Sequence, residues 1–372
     1  MFKRIVLVFA FFNFCFLQSQ VGFNTTGYIN IEGGTNSKIY HAVTIQSDGK
    51  IVAVGVTDAR DGLIARYTAA GTLDTSFNTT GYIKIEGDTD SSKYWDVSIQ
   101  SDGKIVAVGY TDLANGLIAR YTAAGELDTS FNTTGYINTE GGTDSLFYYA
   151  VAIQADGKII AVGIADTAHG LIARYTAAGA LDTSFNTIGY INTEGDTDSS
   201  SYYAIAIQSD GKIVAVGVTD ARDGLIARYT AAGALDTSFN TTGYIKTEGG
   251  TDSSSYYAIA IQSDGKIVVV GQTDAGDGLI VRYTAAGVLD TSFNTTGYIK
   301  TERGTDSSIY YGVTIQSDDK IVAAGQTDIS DGLISRFLCN GVLDATANWT
   351  VQNCREHNKC AGFKMGLISA AD

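Results

Sequence analysis

Three groups of residues in this sequence combine type and spacing in a way that carries chemistry. Cys339, Cys354, His357 and Cys360 lie together near the C-terminus. A Cys₃His set is one of the combinations that hold structural zinc. Three neighbouring cysteines in an oxidising compartment instead give one disulfide and a leftover thiol, and both readings stand. The second group is a series of acidic loops, for example Asp88-Thr-Asp90-Ser-Ser92. Their clustered oxygens suit calcium, but the EF-hand pattern fails because its sixth position is Lys93 and its twelfth is Ile99. Turn formation by Asp and Ser explains the same loops, leaving calcium only a looser site of carbonyls and carboxylates.

The third group is aromatic. Tyr40-His41, Tyr94-Trp95 and Tyr148-Tyr149 are followed in step by Tyr202-Tyr203, Tyr256-Tyr257 and Tyr310-Tyr311. Each ring offers a broad face and a polar tip, which suits stacking on a sugar and suits packing between structural units equally.

An enzyme needs one asymmetric constellation of acid, base or nucleophile. His41, His169 and His357 lie far apart in the chain with no nucleophile motif beside them. Arg66, Arg120, Arg174, Arg228, Arg282 and Arg336 recur identically, each upstream of a Leu-Asp pair. Six equal copies read as structural ion pairs. No catalytic residue is assigned and no cofactor is expected, with calcium at the acidic loops and the zinc set above kept in view. The Asn-Thr-Thr sequences from Asn24, Asn78, Asn132, Asn240 and Asn294 match a glycosylation sequon, and a turn is the preferred reading.

The elements that position these residues come from a repeat. Phe23, Phe77, Phe131, Phe185, Phe239 and Phe293 are each 54 residues apart, and six copies follow one another without an insertion. Burying an aliphatic side chain contributes roughly 1.5–3 kcal/mol. Ordering each residue costs about 1–2 kcal/mol in backbone entropy. One copy therefore cannot fold alone, and the copies must bury surface against each other.

Four strands are expected per copy: Gly-Tyr-Ile (27–32, 81–86), Tyr-aromatic-Ala-x-x-Ile (40–46), Ile-Val-Ala-Val-Gly (51–55) and Leu-Ile-Ala-Arg-Tyr (63–67). The second and third flank Ser-Asp-Gly-Lys, a strong hairpin signal. This predicts an all-β, six-bladed β-propeller of four-stranded antiparallel blades. Gly-Tyr-Ile would be the outer strand of the preceding blade, so residues 27–32 would complete blade six and close the ring. A β-solenoid is the alternative.

Strand parity puts the acidic loops and loop 57–62 on one face, and Ser-Asp-Gly-Lys with the Thr-Ala-Ala-Gly connection on the other. Differences between copies gather on the first face, at Asp61, Asn115, His169 and Asp277 among others. Together with Tyr40, His41, Tyr94, Trp95, Tyr148 and Tyr149, these are the candidate ligand residues.

Leu-Asp-Thr-Ser-Phe, Ile-Gln-x-Asp-Gly-Lys-Ile-Val-x-x-Gly and Leu-Ile-Ala-Arg-Tyr-x-x-x-Gly resemble the delta-60 repeats of predicted bacterial β-propellers. The resemblance implies a surface or secreted scaffold without a shared activity, and it supplies no catalytic residues. The last copy departs from it, with Arg336-Phe337-Leu338-Cys339-Asn340 in place of Arg-Tyr-Thr-Ala-Ala and Asp319 in place of the turn glycine.

The chain carries 43 glycines, no proline and a formal charge of −15. Such acidity argues against nucleic acid, which needs clustered Lys and Arg. Lys3 and Arg4 followed by the apolar run Ile5 to Phe16 predict a secretory signal peptide over residues 1–19. The repeats then occupy 20–347 and a non-repeat tail 348–372, with no membrane-spanning segment in the mature chain. The expectation is a secreted or cell-surface binding module whose acidic loop face takes a glycan or an extracellular protein. A polysaccharide- or ester-cleaving enzyme with its site at the propeller mouth, and a self-associating structural surface protein, are the competing classes.

Overall fold

The Ser-Asp-Gly-Lys turns end the innermost strand of every copy. In the second copy Gly103 N donates to Gln100 O at 2.9 Å with Gly103 at φ +82°, and Asp102 Oδ1 accepts from Lys104 N at 3.1 Å. The left-handed φ is what the glycine supplies. In the sixth copy Asp319 adopts φ +61° at this position, and its carboxylate accepts from Ser263 Oγ of the preceding copy at 2.9 Å. A local backbone penalty is thus offset by a bond between blades.

The computed structural model describes residues 38–57, 60–85, 92–139, 145–165, 169–193, 200–219, 221–247, 254–301, 308–327, 332–344 and 364–365. Blade one comprises β1 (Lys38–Ile45), β2 (Ile51–Thr57), β3 (Gly62–Tyr67) and β4 (Tyr82–Ile85). Blade two comprises β5 (Ser92–Ile99), β6 (Ile105–Thr111), β7 (Gly116–Tyr121) and β8 (Tyr136–Thr139). Blade three follows with β9 (Leu146–Ile153), β10 (Ile159–Ala165), β11 (His169–Tyr175) and β12 (Tyr190–Asn192). Blade four has β13 (Ser200–Ile207), β14 (Ile213–Thr219), β15 (Gly224–Tyr229) and β16 (Tyr244–Lys246). Blade five has β17 (Ser254–Ile261), β18 (Ile267–Thr273), β19 (Gly278–Tyr283) and β20 (Tyr298–Thr301). Blade six has β21 (Ser308–Ile315), β22 (Ile321–Thr327) and β23 (Gly332–Phe337), and β24 (Lys364–Met365) belongs to the tail.

Within a blade the strands pair antiparallel in chain order, and Tyr82–Ile85 pairs with β3, so Gly-Tyr-Ile is the outer strand of the preceding blade. The protein is a six-bladed β-propeller. The strand expected at 27–32 lies outside the described residues, and the described part of blade six has three strands. β24 pairs in parallel with the channel-side edge of β1 at Ala42 and Val43 and adjoins β21, so the tail meets the ring between blades one and six.

The core lies between blades rather than within them. Val52, Val54, Ile64 and Phe77 of blade one pack against Tyr94, Val97, Ile105 and Tyr121 of blade two, and the same layer recurs at the next four junctions. The middle strand is apolar on both faces because each face meets a different blade. A polar staple reinforces each joint. Arg66 Nε donates to Asp74 Oδ2 at 2.8 Å, its Nη1 donates to the Ala123 carbonyl of the next blade, and its guanidinium lies 4.6 Å from the Phe77 ring centroid. This accounts for the recurring Arg and Leu-Asp-Thr-Ser-Phe as structural groups. The described sequon asparagines are structural as well: Asn132 Nδ2 donates to the Tyr136 carbonyl at 3.0 Å, and Asn78, Asn240 and Asn294 do likewise. Asn186, where Ile188 breaks the sequon, makes the same bond, and Asn24 lies outside the described residues.

Candidate functional site at the channel mouth

The innermost strands of successive blades adjoin one another and line the axis. Each carries a β-bulge, between Tyr40 and Ala42 in blade one and between Tyr94 and Asp96 in blade two. A bulge leaves one residue unpaired and re-aims its side chain. Here that residue is His41 in blade one and Trp95 in blade two. A glycine on the neighbouring strand makes the bulge possible: a Cβ at Gly109 would overlap the Lys93 carbonyl oxygen, and Gly55, Gly163, Gly217, Gly271 and Gly325 face the equivalent oxygen.

The re-aimed residues form a girdle. His41 stacks on Trp95 at 4.3 Å between centroids, and Trp95 meets Tyr149 edge-on at 5.8 Å. Tyr149, Tyr203, Tyr257 and Tyr311 continue at 5.6–5.7 Å. These contacts run from ring to ring across all six innermost strands, from His41 to Tyr311, and form an aromatic arc around the axis. Burial, with Tyr203 and Tyr110 alongside, pushes the Tyr149 phenol up to about 12, so the ring remains neutral and keeps its proton at ordinary pH.

The preceding tyrosines have a different fate. Tyr94 and Tyr148 are fully buried and Tyr40 partly so. Tyr94 Oη lies 3.0 Å from Tyr121 Oη, Tyr148 Oη lies 2.8 Å from Tyr175 Oη, and Tyr40 Oη lies 2.9 Å from Tyr67 Oη. Of the two readings, packing between blades is the role these contacts give them, because a fully buried ring has no face to offer a ligand.

Six-fold sameness breaks on one side of the girdle. Where other blades place Ile, Phe or Ser before the Tyr, blade two has Lys93, which reaches Asp112 at 3.3 Å and lies 5.2 Å from the Tyr110 centroid. Tyr110 itself stands where the other blades carry Val, Ile or Gln, and it meets Phe147 edge-on at 4.6 Å. Asp96 occupies the site of Ala42, Ala150, Ala204, Ala258 and Gly312, and its carboxylate accepts from the backbone of Val97 and, across the joint, of Val151, both at 2.9 Å. His41 Nδ1 lies 2.7 Å from the Tyr94 carbonyl oxygen. That oxygen can only accept, so Nδ1 carries a proton. Trp95 Nε1 is enclosed with no hydrogen-bond partner.

Reading the repeats by column finds this cluster, because Lys93 and Asp96 bring charge to positions where the other blades have none, and Tyr110 an aromatic ring to one where they have none. Reading for motifs passes over all three.

The loop residues are more occupied than their exposure in sequence suggests. Asp61 is buried, accepts from Thr57 Oγ1 at 3.2 Å and pairs with Lys84 at 3.0 Å. Asn115 and Asp277 close four-residue turns through their backbone N–H groups on Thr111 and Thr273. His169 opens β11, and its Nδ1 is enclosed without a partner. Among the described residues no three His, Cys, Asp or Glu side chains converge as a metal set. Cys354, His357 and Cys360 lie outside the described residues, and Cys339 is exposed as a free thiol. The 86–91 acidic loop likewise lies outside them.

Among the described residues, the carboxylates whose ionisation is shifted belong to the opposite face. Burial opposes ionisation of Asp128, but hydrogen bonds from Ser130 and the nearby Arg120 guanidinium outweigh it and hold the carboxyl below its ordinary range.

Fold and girdle together define a β-propeller with an arc of aromatic rings around its axis. The chain belongs to the family described as "Domain of unknown function (DUF5122) beta-propeller", which matches residues 46–77, 100–131, 154–185, 208–239, 262–293 and 316–346, more than half of the chain. No curated protein matches the sequence. Among solved structures, virginiamycin B lyase from Staphylococcus aureus is 15% identical, with a TM-score of 0.52 over 83% of this chain and 87% of that one. BP39L lectin from Burkholderia pseudomallei is 8% identical, with a TM-score of 0.52 over 83% and 82%. YCF48 from Cyanidioschyzon merolae is 11% identical, with a TM-score of 0.50 over 86% and 89%. At these identities the likeness is one of fold alone.

Proposed function

We propose that this protein is a secreted or cell-surface binding module that takes a glycan at the channel mouth, on the blade-one to blade-three side. The observation that carries this reading is the broken symmetry of the girdle, where His41, Trp95 and Tyr149 are joined by Lys93, Tyr110 and Phe147 at one sector only. Aromatic faces with polar tips match the apolar face and hydroxyl rim of a sugar. The signal-like segment Met1 to Ser19 supports export, and the delta-60 likeness supports a surface scaffold.

Trp95 and Trp349 are the two tryptophans, so Trp349→Phe leaves a single reporter inside the girdle. A glycan array run with calcium and with chelator supplies the ligand, and Trp95 emission then follows titration. Saturable binding with an emission change, lost in Trp95→Ala, is the expected result. Binding that Trp95→Ala leaves intact, or no glycan bound in either buffer, overturns it.

A further inference from the structure

A second pocket opens on the circumference, away from the channel. It lies between outer strand β8 of blade two and strands β11 and β12 of blade three, and its volume is about 500 Å³, within the about 300–1,000 Å³ usual for small-ligand sites.

The pocket exists at a junction where three residues, in two columns of the repeat, change together. The third residue of the outer strand is Lys84, Lys246 or Lys300 in blades one, four and five, but Asn138 and Asn192 in blades two and three. Lys84 reaches across to Asp61 at 3.0 Å, while Lys246 and Lys300 lie over Tyr244 and Tyr298. Only the joint between blades two and three has asparagine on both sides among the described copies. The third change is Leu146, where blades two, four, five and six carry Ser92, Ser200, Ser254 and Ser308. In the next two joints that serine pairs with the outer-strand threonine, Thr193 with Ser200 at 2.7 Å and Thr247 with Ser254 at 2.8 Å. Without it, Thr139 Oγ1 turns to the Tyr175 and Tyr148 hydroxyls at 3.2 and 3.4 Å.

The lining is chemically selective. Among the described residues no Asp, Glu, Lys, Arg or His contributes to it, in a chain whose formal charge is −15. Leu146, Leu171 and Ile137 give an apolar floor, and Tyr190 adds a ring that is 39% exposed. Asn138 and Asn192 supply amides, and Asn192 Oδ1 is enclosed at the wall with no donor from the protein. A charged ligand would meet no counter-charge among the described lining residues and would lose its hydration there. A wholly apolar one would leave the amides and hydroxyls unmatched. We infer that the cleft between blades two and three is a binding site for a neutral pyranose, its C–H face on Leu146, Leu171 and Tyr190 and its hydroxyls on Asn138, Asn192 and the Thr139 group. The inference is independent of the channel-mouth reading.

The test uses saturation-transfer NMR and calorimetry on the full mature chain, with a panel of methyl glycosides of neutral hexoses and deoxyhexoses and their oligosaccharides. Asn138→Lys and Asn192→Lys restore the lysine that neighbouring blades already accommodate, so both variants should keep the wild-type circular dichroism. At least one neutral glycoside should bind the wild type and bind each variant at least tenfold more weakly, while Trp95→Ala leaves that binding unchanged. A milder variant, Asn192→Ala, should weaken it severalfold without filling the cleft. Binding of oligosaccharides but not single residues would place the pyranose as one unit of a chain, still with lysine sensitivity. Equal binding by wild type and both lysine variants, loss through Trp95→Ala instead, or no neutral glycoside bound at all overturns the inference.

Discussion

Arg120 Nε donates to Asp128 Oδ2 at 2.8 Å, with both side chains nearly closed to solvent. The same guanidinium also donates to the Ala177 carbonyl of the next blade and lies 4.6 Å from the Phe131 centroid. One side chain thus ties the third strand to its own outer connection and to the neighbouring blade. Removing one member of a buried pair costs about 3–5 kcal/mol when the other charge is left uncompensated, and Lys104 Nζ, 3.5 Å from Asp128 Oδ2, holds the loss toward the lower end of that range. Arg120→Ala should lose that much in denaturant unfolding. A loss under about 1 kcal/mol would reduce the staple to the worth of a surface ion pair.

Gly109 decides whether the girdle forms in blade two. Any side chain there collides with the backbone oxygen of Lys93, and that oxygen belongs to the bulge that aims Trp95. Gly109→Ala should therefore destabilise by about 3 kcal/mol, the upper end of overpacking. It should also change the near-ultraviolet dichroism of Trp95 in a Trp349→Phe background, because backbone rather than a flexible side chain must yield. An unchanged Trp95 signal would separate the glycine from the girdle.

The blades were legible from the sequence because their signals are local and repeated six times. Ser-Asp-Gly-Lys marks the hairpin, and the doubly apolar Ile-Val-Ala-Val marks the strand with a blade on each side. Arg66 and its copies were readable as structural for the same reason. The bulge was not legible, since an extra residue between Tyr94 and Asp96 leaves no trace in alternation until the register is known. Tyr94 and Trp95 therefore looked like one aromatic pair, although the bulge sends one into the core and the other to the channel. The cleft was hidden differently. Asn138, Leu146 and Asn192 are ordinary residues singly, and only the ring brings the outer strand of one blade against the next.

Thr241 sits at φ +63°, directly after Asn240 at φ +47°. A β-branched residue in the left-handed region costs roughly 1–2 kcal/mol, and glycine there gives back about 0.5–1 kcal/mol in unfolded-chain entropy. Thr241→Gly should accordingly stabilise the fold by about 0.5–1 kcal/mol in denaturant unfolding. The same change at Thr79, Thr133, Thr187 and Thr295 should act alike, because each holds φ between 60° and 64°. Destabilisation at Thr241 would mean that the threonine side chain contributes more than its backbone costs.

Stability should fall at both ends of the pH scale, for different residues. The Asp74 carboxyl is held below its ordinary range first by the Ser76 hydroxyl, against burial, and Asp128 behaves alike through Ser130 and Arg120. A depressed folded value contributes stability that is complete above the unfolded carboxylate value, about 4, and is lost as pH falls further. Tyr121 works in the opposite sense: burial pushes its phenol up to about 12, despite the hydrogen bond with Tyr94. The folded state then keeps a proton that the unfolded chain releases near pH 10, about the free phenol value, so this contribution is complete below that pH and fades toward 12. Denaturant midpoints measured across pH should show a plateau with two falling limbs. Asp128→Asn should flatten the acid limb alone, and Tyr121→Phe the alkaline limb alone. If Tyr121→Phe leaves the alkaline limb unchanged, the phenol pairs between blades are not what sets it.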